Sequence, residues 1–289
     1  MSNYLQLHKK HFNLAQFVKT ALREDVGDGD HSALATIDAS QNGKCRLIVK
    51  ENGIIAGVEA AKQIFRLIDS KFKFTQLISD GTSVKVGDIV FLIEGNTQKL
   101  LTAERLVLNV MQRMSAIATK TSYLQSLCKG TKAKVIDTRK TTPNFRFFEK
   151  WAVVIGGGSN HRFGLYDMIM IKDNHIDFAG GIIKAIDATQ AYLKKNKKKL
   201  PIEVETRTLD DIKLIINKGG FQRIMLDNYT IANTKKAVAL ISNAYEVESS
   251  GGITEKTIAS YAKCGVDFIS VGALTHHVKS LDLSLKAIK

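Results

Sequence analysis

The sequence predicts a mixed α/β protein with an N-terminal α+β domain and a C-terminal domain built from βα units. Its 289 residues are 44% apolar and only 24% charged, so the chain can bury a sizeable core. Short strands and helices follow one another without a simple repeat in the first third. After a long helical segment, apolar strands recur about every 22 residues, as expected of successive βα units in a parallel sheet.

The N-terminal domain is predicted to span 1–115. Its apolar pattern indicates two helices and three strands. The predicted helices cover 14–23 and 59–68, and the predicted strands cover 45–49, 72–78 and 89–94.

A long helix is predicted over 101–127. Leu108 and Leu124 lie on or near one face of it, whereas Arg105 and Arg113 lie on another. We expect this helix to bridge the two domains.

The C-terminal domain is predicted to span 116–274 and to contain short strands separated by helical segments. The predicted strands cover 133–137, 168–171, 202–204, 223–226, 245–247 and 268–271. Each strand ends in polar or glycine residues, which favours a barrel, where several strand ends form one mouth, over an open sheet with one crevice. Since the region is well short of the roughly 250 residues of a full barrel, we expect an incomplete or compact one.

Composition narrows the possible partners and compartments. The net charge of +14 is explained either by attraction to polyanions or by surface lysine, and for the run at 194–199 we favour surface lysine. The three cysteines share no close spacing, which argues against disulfides or a zinc site. No apolar run suits a signal peptide or a membrane span. We expect a cytoplasmic protein with no membrane or nucleic-acid partner.

A dense group of cationic side chains between 137 and 175 is the strongest functional signal. Arginine binds planar carboxylates through two hydrogen bonds, and lysine supplies a point charge. The cations near predicted strand ends or on the long helix are Arg105, Arg139, Lys140, Arg162 and Lys172. Together they predict an anionic ligand, with a small dicarboxylate or a phosphate ester fitting best.

Two glycine-containing loops and two acids complete the candidate site. The segments 249–252 and 271–274 follow late strands, where backbone N–H groups frequently hold phosphate; two ordinary βα turns are the alternative. Glu205 and Asp227 end consecutive strands. They are predicted either to bind Mg²⁺ or ribose hydroxyls through their oxygens, or to form ion pairs with the cations.

The chain resembles quinolinate phosphoribosyltransferase, the decarboxylating nicotinate-nucleotide pyrophosphorylase. Similar segments cover nearly its whole length, and their combination is highly specific although no single piece is. They include TAER at 102–105, TRKTTP at 138–143, NHR at 160–162, IKDNH at 171–175, EVE at 203–205, LDN at 226–228 and SGGI at 250–253.

This resemblance implies an N-terminal α/β sandwich packed on an incomplete, seven-stranded α/β barrel of the type II phosphoribosyltransferase kind. The segment 275–289 is expected to pack back on the sandwich domain. The implied enzyme is a homodimer or a multiple of dimers. With Mg²⁺, it converts quinolinate and phosphoribosyl pyrophosphate into nicotinate mononucleotide, pyrophosphate and CO₂ for NAD biosynthesis.

The resemblance also implies individual roles for the site residues. The residues implied to bind the quinolinate carboxylates are Arg139, His161, Arg162 and Lys172, together with Arg105 from the neighbouring subunit. Lys140 is implied to face phosphoribosyl pyrophosphate, with Glu205 and Asp227 at its ribose and Mg²⁺. The residues implied to cradle the 5′-phosphate are Ser250, Gly251, Gly252, Gly272 and Ala273.

Three positions depart from the family pattern. Asn144 stands where glycine is frequent, His31 where a β-branched residue is usual, and His277 where serine is common. These departures affect the expected loop shapes and remove no implied ligand.

Three other functions compete with this one. Lys172 at a strand end is also compatible with a Schiff-base nucleophile in an aldolase-like barrel, although the nearby cations predict a polyanionic ligand without a carbonyl. The +14 charge suggests a nucleic-acid-binding protein, but Trp151 and most phenylalanines lie in apolar segments. A paralogue acting on another aromatic acid, such as the molybdenum-associated pyrophosphorylase-like proteins, is disfavoured by the retained carboxylate-binding positions.

Overall fold

The computed structural model describes Tyr4, His8 and residues 10–288, and the chain divides into two compact units. The first unit comprises Met1–Ser122, Thr141–Gly157 and His277–Lys289, and the second comprises Tyr123–Lys140 and Gly158–His276. The predicted mixed α/β class is confirmed, whereas the predicted bounds of 1–115 and 116–274 stay a prediction.

The first unit is built around an antiparallel sheet. Its helices are α1 (Leu14–Val26), α2 (His31–Thr36), α3 (Val58–Ile68), most of α4 (Thr97–Leu127) and α5 (Arg146–Ile155). Its strands are β1 (Asn42–Val49), β2 (Gly53–Ile54), β3 (Lys73–Gln76), β4 (Ser83–Val84), β5 (Ile89–Asn96) and β12 (Leu283–Ala287). Within the described residues, four strands pair in the order β12-β1-β5-β3, and β2 pairs separately with β4.

The core of this unit lies between α3 and the sheet. The residues of α3 that are buried lie on one face of the helix and include Val58, Ile64 and Phe65. The Phe65 ring meets the Phe91 ring of β5 edge to face, with ring centroids 6.1 Å apart. The helix predicted over 59–68 is therefore confirmed, with its buried residues on one face.

The long helix α4 begins earlier than the sequence predicts. It starts at Thr97, four residues before Leu101, because Asn96 caps its first turn. The side-chain Oδ1 of Asn96 accepts a hydrogen bond from the main-chain N–H of Lys99 (3.1 Å). Such a cap satisfies a donor that the first helical turn leaves open.

The second unit consists of alternating parallel strands and helices. Its strands are β6 (Lys134–Ile136), β7 (Ile169–Ile171), β8 (Ile202–Thr206), β9 (Arg223–Asp227), β10 (Glu246–Ser250) and β11 (Phe268–Ser270). Its helices are α6 (Asp173–Ala179), α7 (Ile182–Lys195), α8 (Leu209–Lys218), α9 (Ile231–Ile241), α10 (Ile258–Ala262) and α11 (Ala273–His276). All six predicted strands are present in the described part of this unit.

The parallel sheet does not close in the described part of the chain. Its strands pair in the order β6-β11-β10-β9-β8-β7. A single parallel bridge between Ile136 and Ser159 adds one more segment beside β6. Further along that segment, Arg162 Nη1 donates a hydrogen bond to the carbonyl oxygen of Met168, next to β7 (3.3 Å). This arrangement agrees with the predicted incomplete barrel, and it brings the carboxyl ends of all its strands to one edge.

Among the residues described, no helix has both the length and the apolar character that a membrane span needs. Even α4, with 31 residues, carries charged side chains along its length, including Lys99, Glu104 and Arg113.

Candidate active site

A cavity of about 690 Å³ lies at the carboxyl ends of the parallel strands, entirely within the second unit. The parallel strands place the residues that follow them at one edge of the sheet. The predicted site residues that line this cavity are Arg139, Lys140, His161, Arg162, Lys172, Glu205, Asp227, Ser250, Gly251, Gly252, Gly272 and Ala273.

Arg105 is placed differently from the other predicted site residues. It lies on α4, in the first unit, and its side chain is exposed. Among the residues that the structure describes, the cavity lining does not include it.

One end of the cavity is cationic. Arg139, Arg162 and Lys172 line it together. Burial lowers the pKa of Arg162 from its ordinary value, and the nearby positive charge of Arg139 lowers it further. Two guanidinium groups that repel each other in this way are stabilised by a ligand that carries more than one negative charge.

His161 is held between the cationic end and the sheet interior. Its main-chain N–H donates to Oδ1 of Asp137 at the end of β6 (3.0 Å), and its Nδ1 accepts from the main-chain N–H of Arg162 (2.6 Å). Its Nε2 lies 2.9 Å from Oε2 of Glu203. Since Nδ1 accepts a hydrogen bond, this network assigns the imidazole hydrogen to Nε2.

The sheet interior contains a charge cluster that was not predicted from the sequence, and two of its members, His161 and Glu248, also line the cavity. Glu203 and Glu248 are fully buried, and His161 Nε2 lies 3.4 Å from Oε2 of Glu248. Arg223 Nη1 donates to the same oxygen (3.3 Å), and its guanidinium lies 3.9 Å from the centre of the Phe268 ring. Barrel interiors are usually filled by branched apolar side chains, so this polar filling is a departure that needs a reason.

Burial dominates the ionisation of this cluster. Desolvation, followed by the charge of Glu203, raises the pKa of Glu248 to about 8. Desolvation likewise raises the pKa of Glu203. Both shifts favour the protonated form of these carboxyl groups. Although the ligand atoms of His161, Glu203 and Glu248 lie within 4.8 Å of one another, Arg223 already supplies a positive charge, which favours an ion-pair cluster over a metal site.

Another part of the cavity lining, the acidic rim, carries two acids. Oε1 of Glu205 accepts a hydrogen bond from the main-chain N–H of Asp173 (3.3 Å), and Oδ2 of Asp227 accepts one from Nδ2 of Asn228 (2.7 Å). Burial raises the pKa of Glu205, and the negative charge of Asp227 raises it further. A carboxylate whose ionised form is destabilised by a second carboxylate beside it suits a divalent cation with oxygen ligands, so Mg²⁺ fits this rim.

A third part of the cavity is formed by glycine-containing loops. Gly251 and Gly252 have φ angles of 96° and 59°, in the left-handed region that favours glycine. A Cβ atom at Gly272 would lie 2.8 Å from Nε2 of His276 and 3.2 Å from Cδ of Lys140. The Gly272 backbone therefore lies close to the Lys140 side chain, and backbone N–H groups beside a positive charge favour an oxyanion.

Several cavity residues had no individual site role assigned from the sequence. They are Thr138, Met170, Met225, Asn228, Glu248, Ile253, Thr254, Ser270 and His276. Asn228 directly follows the predicted acid Asp227, and this adjacency was a usable signal. Glu248 had a weaker signal, because an acid inside a buried strand is uncommon but its partners lie far away in the sequence.

This fold and this cavity define an α/β protein that binds a polyanionic ligand at the carboxyl ends of its strands. Comparison with known families identifies it further. Residues 30–115 match the model of the quinolinate phosphoribosyl transferase N-terminal domain, and residues 117–286 match that of the C-terminal domain. The chain belongs to the quinolinate phosphoribosyltransferase family.

Curated relatives and solved structures agree with this assignment. The chain is 43% identical over 290 aligned positions to the Arabidopsis thaliana protein named nicotinate-nucleotide pyrophosphorylase [carboxylating], chloroplastic, covering 95% of this chain and 83% of that protein. It is 42% identical to the Nicotiana tabacum protein named quinolinate phosphoribosyltransferase [decarboxylating] 2b, mitochondrial, covering 95% of this chain and 82% of that protein. The crystal structure of NadC from Streptococcus pyogenes aligns with a TM-score of 0.89 at 39% identity, covering 96% of this chain and 97% of that one.

Proposed function

We propose that the protein is a quinolinate phosphoribosyltransferase, a pentosyltransferase that converts quinolinate and phosphoribosyl pyrophosphate into nicotinate mononucleotide, pyrophosphate and CO₂. The observation that carries this proposal is one cavity with a cationic end, an acidic rim and glycine loops. The reaction serves NAD biosynthesis, and we place it in the cytoplasm, although the names of two plant relatives state a chloroplast or a mitochondrion.

The cationic end is proposed to bind quinolinate. Its carboxylates are matched by the guanidinium groups of Arg139 and Arg162 and by the ammonium group of Lys172. His161 also belongs to this end, where the hydrogen bond from the Arg162 main chain to its ring couples the two residues. Holding both carboxylates orients the pyridine nitrogen toward the acidic rim.

Phosphoribosyl pyrophosphate is proposed to occupy the remainder of the cavity. The residues assigned to its 5′-phosphate are Ser250, Gly251, Gly252, Gly272 and Ala273. Lys140 is assigned to the pyrophosphate, whose negative charge it stabilises as the group leaves. Glu205 and Asp227 lie at the ribose, where negative charge stabilises the positive charge that develops on C1′.

Mg²⁺ is the proposed cofactor, and Glu205 and Asp227 would hold it. When bound, it neutralises charge on the pyrophosphate and so makes that group a better leaving group. These acids therefore have two compatible tasks, since carboxylates at the ribose both hold a cation and face the developing charge at C1′.

The chemistry after pyrophosphate departure needs little from the protein beyond position and charge. The pyridine nitrogen attacks C1′ and acquires a positive charge. That charge stabilises the carbanion left at the adjacent carbon when its carboxylate departs as CO₂, and this carbon then takes up a proton from solvent to give nicotinate mononucleotide. Arg139 and Arg162 meanwhile hold the remaining carboxylate, so the ring keeps its orientation through both steps.

A homodimer, or a multiple of dimers, is the proposed assembly. Arg105 is exposed on α4 and absent from the described cavity lining, so it is available to a neighbouring subunit. We propose that it enters the neighbour's cavity and contacts a quinolinate carboxylate there.

The test is Mg²⁺-dependent consumption of quinolinate and phosphoribosyl pyrophosphate, with nicotinate mononucleotide and CO₂ measured together. Arg139→Ala and Arg105→Ala are each expected to lower kcat/KM about 100-fold or more, because each removes a charged contact to the substrate. Arg66→Ala, which removes an exposed arginine from α3, is the matched control and should retain activity.

Mixing the two inactive variants distinguishes a shared site from a self-contained one. In a mixed dimer, one cavity receives both an intact Arg139 and an intact Arg105, so activity should return to about a quarter of the wild-type value. No recovery after subunit exchange would refute the shared site. No product from folded wild-type protein would refute the proposed reaction.

A further inference from the structure

Asn228 connects the acidic rim of the cavity to the glycine loop, and the proposed function assigns it no role. It follows Asp227 at the end of β9 and has a φ angle of 55°, in the left-handed region. Its main-chain N–H donates to the carbonyl oxygen of Ser250 (2.9 Å). Asparagine adopts this backbone conformation more readily than most residues. Asparagine, aspartate and glycine are therefore the residues that can occupy this position at little cost in free energy.

The Asn228 side chain contacts both neighbouring parts of the cavity. Its Nδ2 donates to Oδ2 of Asp227 (2.7 Å). On its other side, a Cβ atom at Gly251 would lie 2.9 Å from the Asn228 main-chain nitrogen and would overlap its side-chain amide. The amide therefore occupies the space that the missing side chain of Gly251 leaves open.

The backbone beneath Asn228 is held firmly. Tyr229 is buried, and its hydroxyl donates to Oγ1 of Thr206 (3.2 Å). The Tyr261 hydroxyl donates to the carbonyl oxygen of Tyr229 (2.8 Å). These two hydrogen bonds hold Tyr229, the residue that follows Asn228, so the backbone next to the Asn228 side chain is fixed.

We infer that Asn228 is a positioning residue that fixes the Asp227 carboxylate and the Gly251 loop relative to each other. This inference rests on the proposed function, in which these two groups hold the ribose and the 5′-phosphate of one substrate molecule. An amide suits the task, because it orients the carboxylate without neutralising the charge that C1′ and Mg²⁺ need. A lysine or an arginine in its place would compete with C1′ and with Mg²⁺ for the negative charge of Asp227.

Asn228→Gly and Asn228→Asp test this inference. Glycine keeps the left-handed backbone and removes the amide, whereas aspartate keeps the shape and replaces the donor with a negative charge facing Asp227. The matched control is Asn243→Gly, because Asn243 is exposed, lies outside the described cavity lining and has a similar φ angle of 62°.

The measurements are KM for each substrate, kcat, and the Mg²⁺ concentration that gives half-maximal activity. For Asn228→Gly, kcat/KM for phosphoribosyl pyrophosphate is expected to fall about 10- to 100-fold, and half-maximal Mg²⁺ to rise several-fold, as one charge-assisted hydrogen bond is lost. KM for quinolinate should change less than about twofold, since no contact at the cationic end is touched. For Asn228→Asp, kcat/KM for phosphoribosyl pyrophosphate is expected to fall at least as far as for Asn228→Gly.

Each outcome bears on the inference. A positioning role is supported if Asn228→Gly loses kcat/KM for phosphoribosyl pyrophosphate but not for quinolinate. The melting temperature of Asn228→Gly should then equal that of Asn243→Gly. Asn228→Gly kinetics equal to those of Asn243→Gly, or an equal loss for both substrates, overturns it while leaving the proposed function intact. Wild-type protein without quinolinate-dependent activity overturns both.

Discussion

Replacing Glu248 with glutamine is expected to change how the stability of the protein depends on pH. Burial, followed by the charge of Glu203, raises the Glu248 pKa from 4.5 to about 8. The folded state thus binds this proton more tightly than the unfolded state does. The resulting stabilisation is fully present below pH 4.5 and is lost as the pH rises toward 8.

The size of the effect follows from that pKa difference. A change from 4.5 to about 8 corresponds to about 5 kcal/mol of unfolding free energy across this pH range. Glutamine stays neutral at every pH and resembles the protonated carboxyl group. As the pH rises from 5 to 8, the unfolding free energy of Glu248→Gln should therefore increase by about 2 to 5 kcal/mol relative to that of wild type.

The assay is urea denaturation at pH 5, 6, 7 and 8 at constant ionic strength, with the two proteins compared at each pH. Glu246→Gln is the matched control, because Glu246 lies on the same strand and pairs with the same Arg223, but its side chain is about half exposed. That variant should differ from wild type by less than about 1 kcal/mol throughout. A difference between Glu248→Gln and wild type that stays constant from pH 5 to pH 8 would refute the reasoning.

Two further predictions concern packing and the cation. A Cβ atom at Gly156 would lie 2.5 Å from the carbonyl oxygen of Ala118 and 2.8 Å from Cβ of Thr121, so Gly156→Ala should destabilise the protein by about 1 to 3 kcal/mol in urea denaturation; unchanged stability would contradict this close contact. Glu205→Gln should raise the Mg²⁺ concentration for half-maximal activity about tenfold or more, because it removes a charged oxygen ligand, whereas the exposed Glu255→Gln should leave it unchanged. Equal Mg²⁺ dependence in both variants would remove Glu205 from the cation site.

Much of the candidate site was predictable because strand ends can be recognised locally. Lys172, Glu205 and Asp227 each end a short predicted strand, and parallel strands bring such positions to one edge. The stretch with Arg139 and Arg162 was recognisable by its density of cations. Their assignment to one ligand came from the family resemblance, since residue spacing alone does not reveal which charges face each other.

The sequence by itself determined the helices near 14–23 and 59–68, the long helix and the six parallel strands, because apolar periodicity is a local property that each segment carries in its own residues. It did not reveal short elements such as α2, β2 and β4, which are too brief to show a period. It did not determine that the sheet order is β6-β11-β10-β9-β8-β7, nor that Glu203 and Glu248 meet beneath His161. Those features depend on pairings between residues far apart in the chain. Only the tertiary structure decides them, because burial and the proximity of charges exist only once distant segments have packed together.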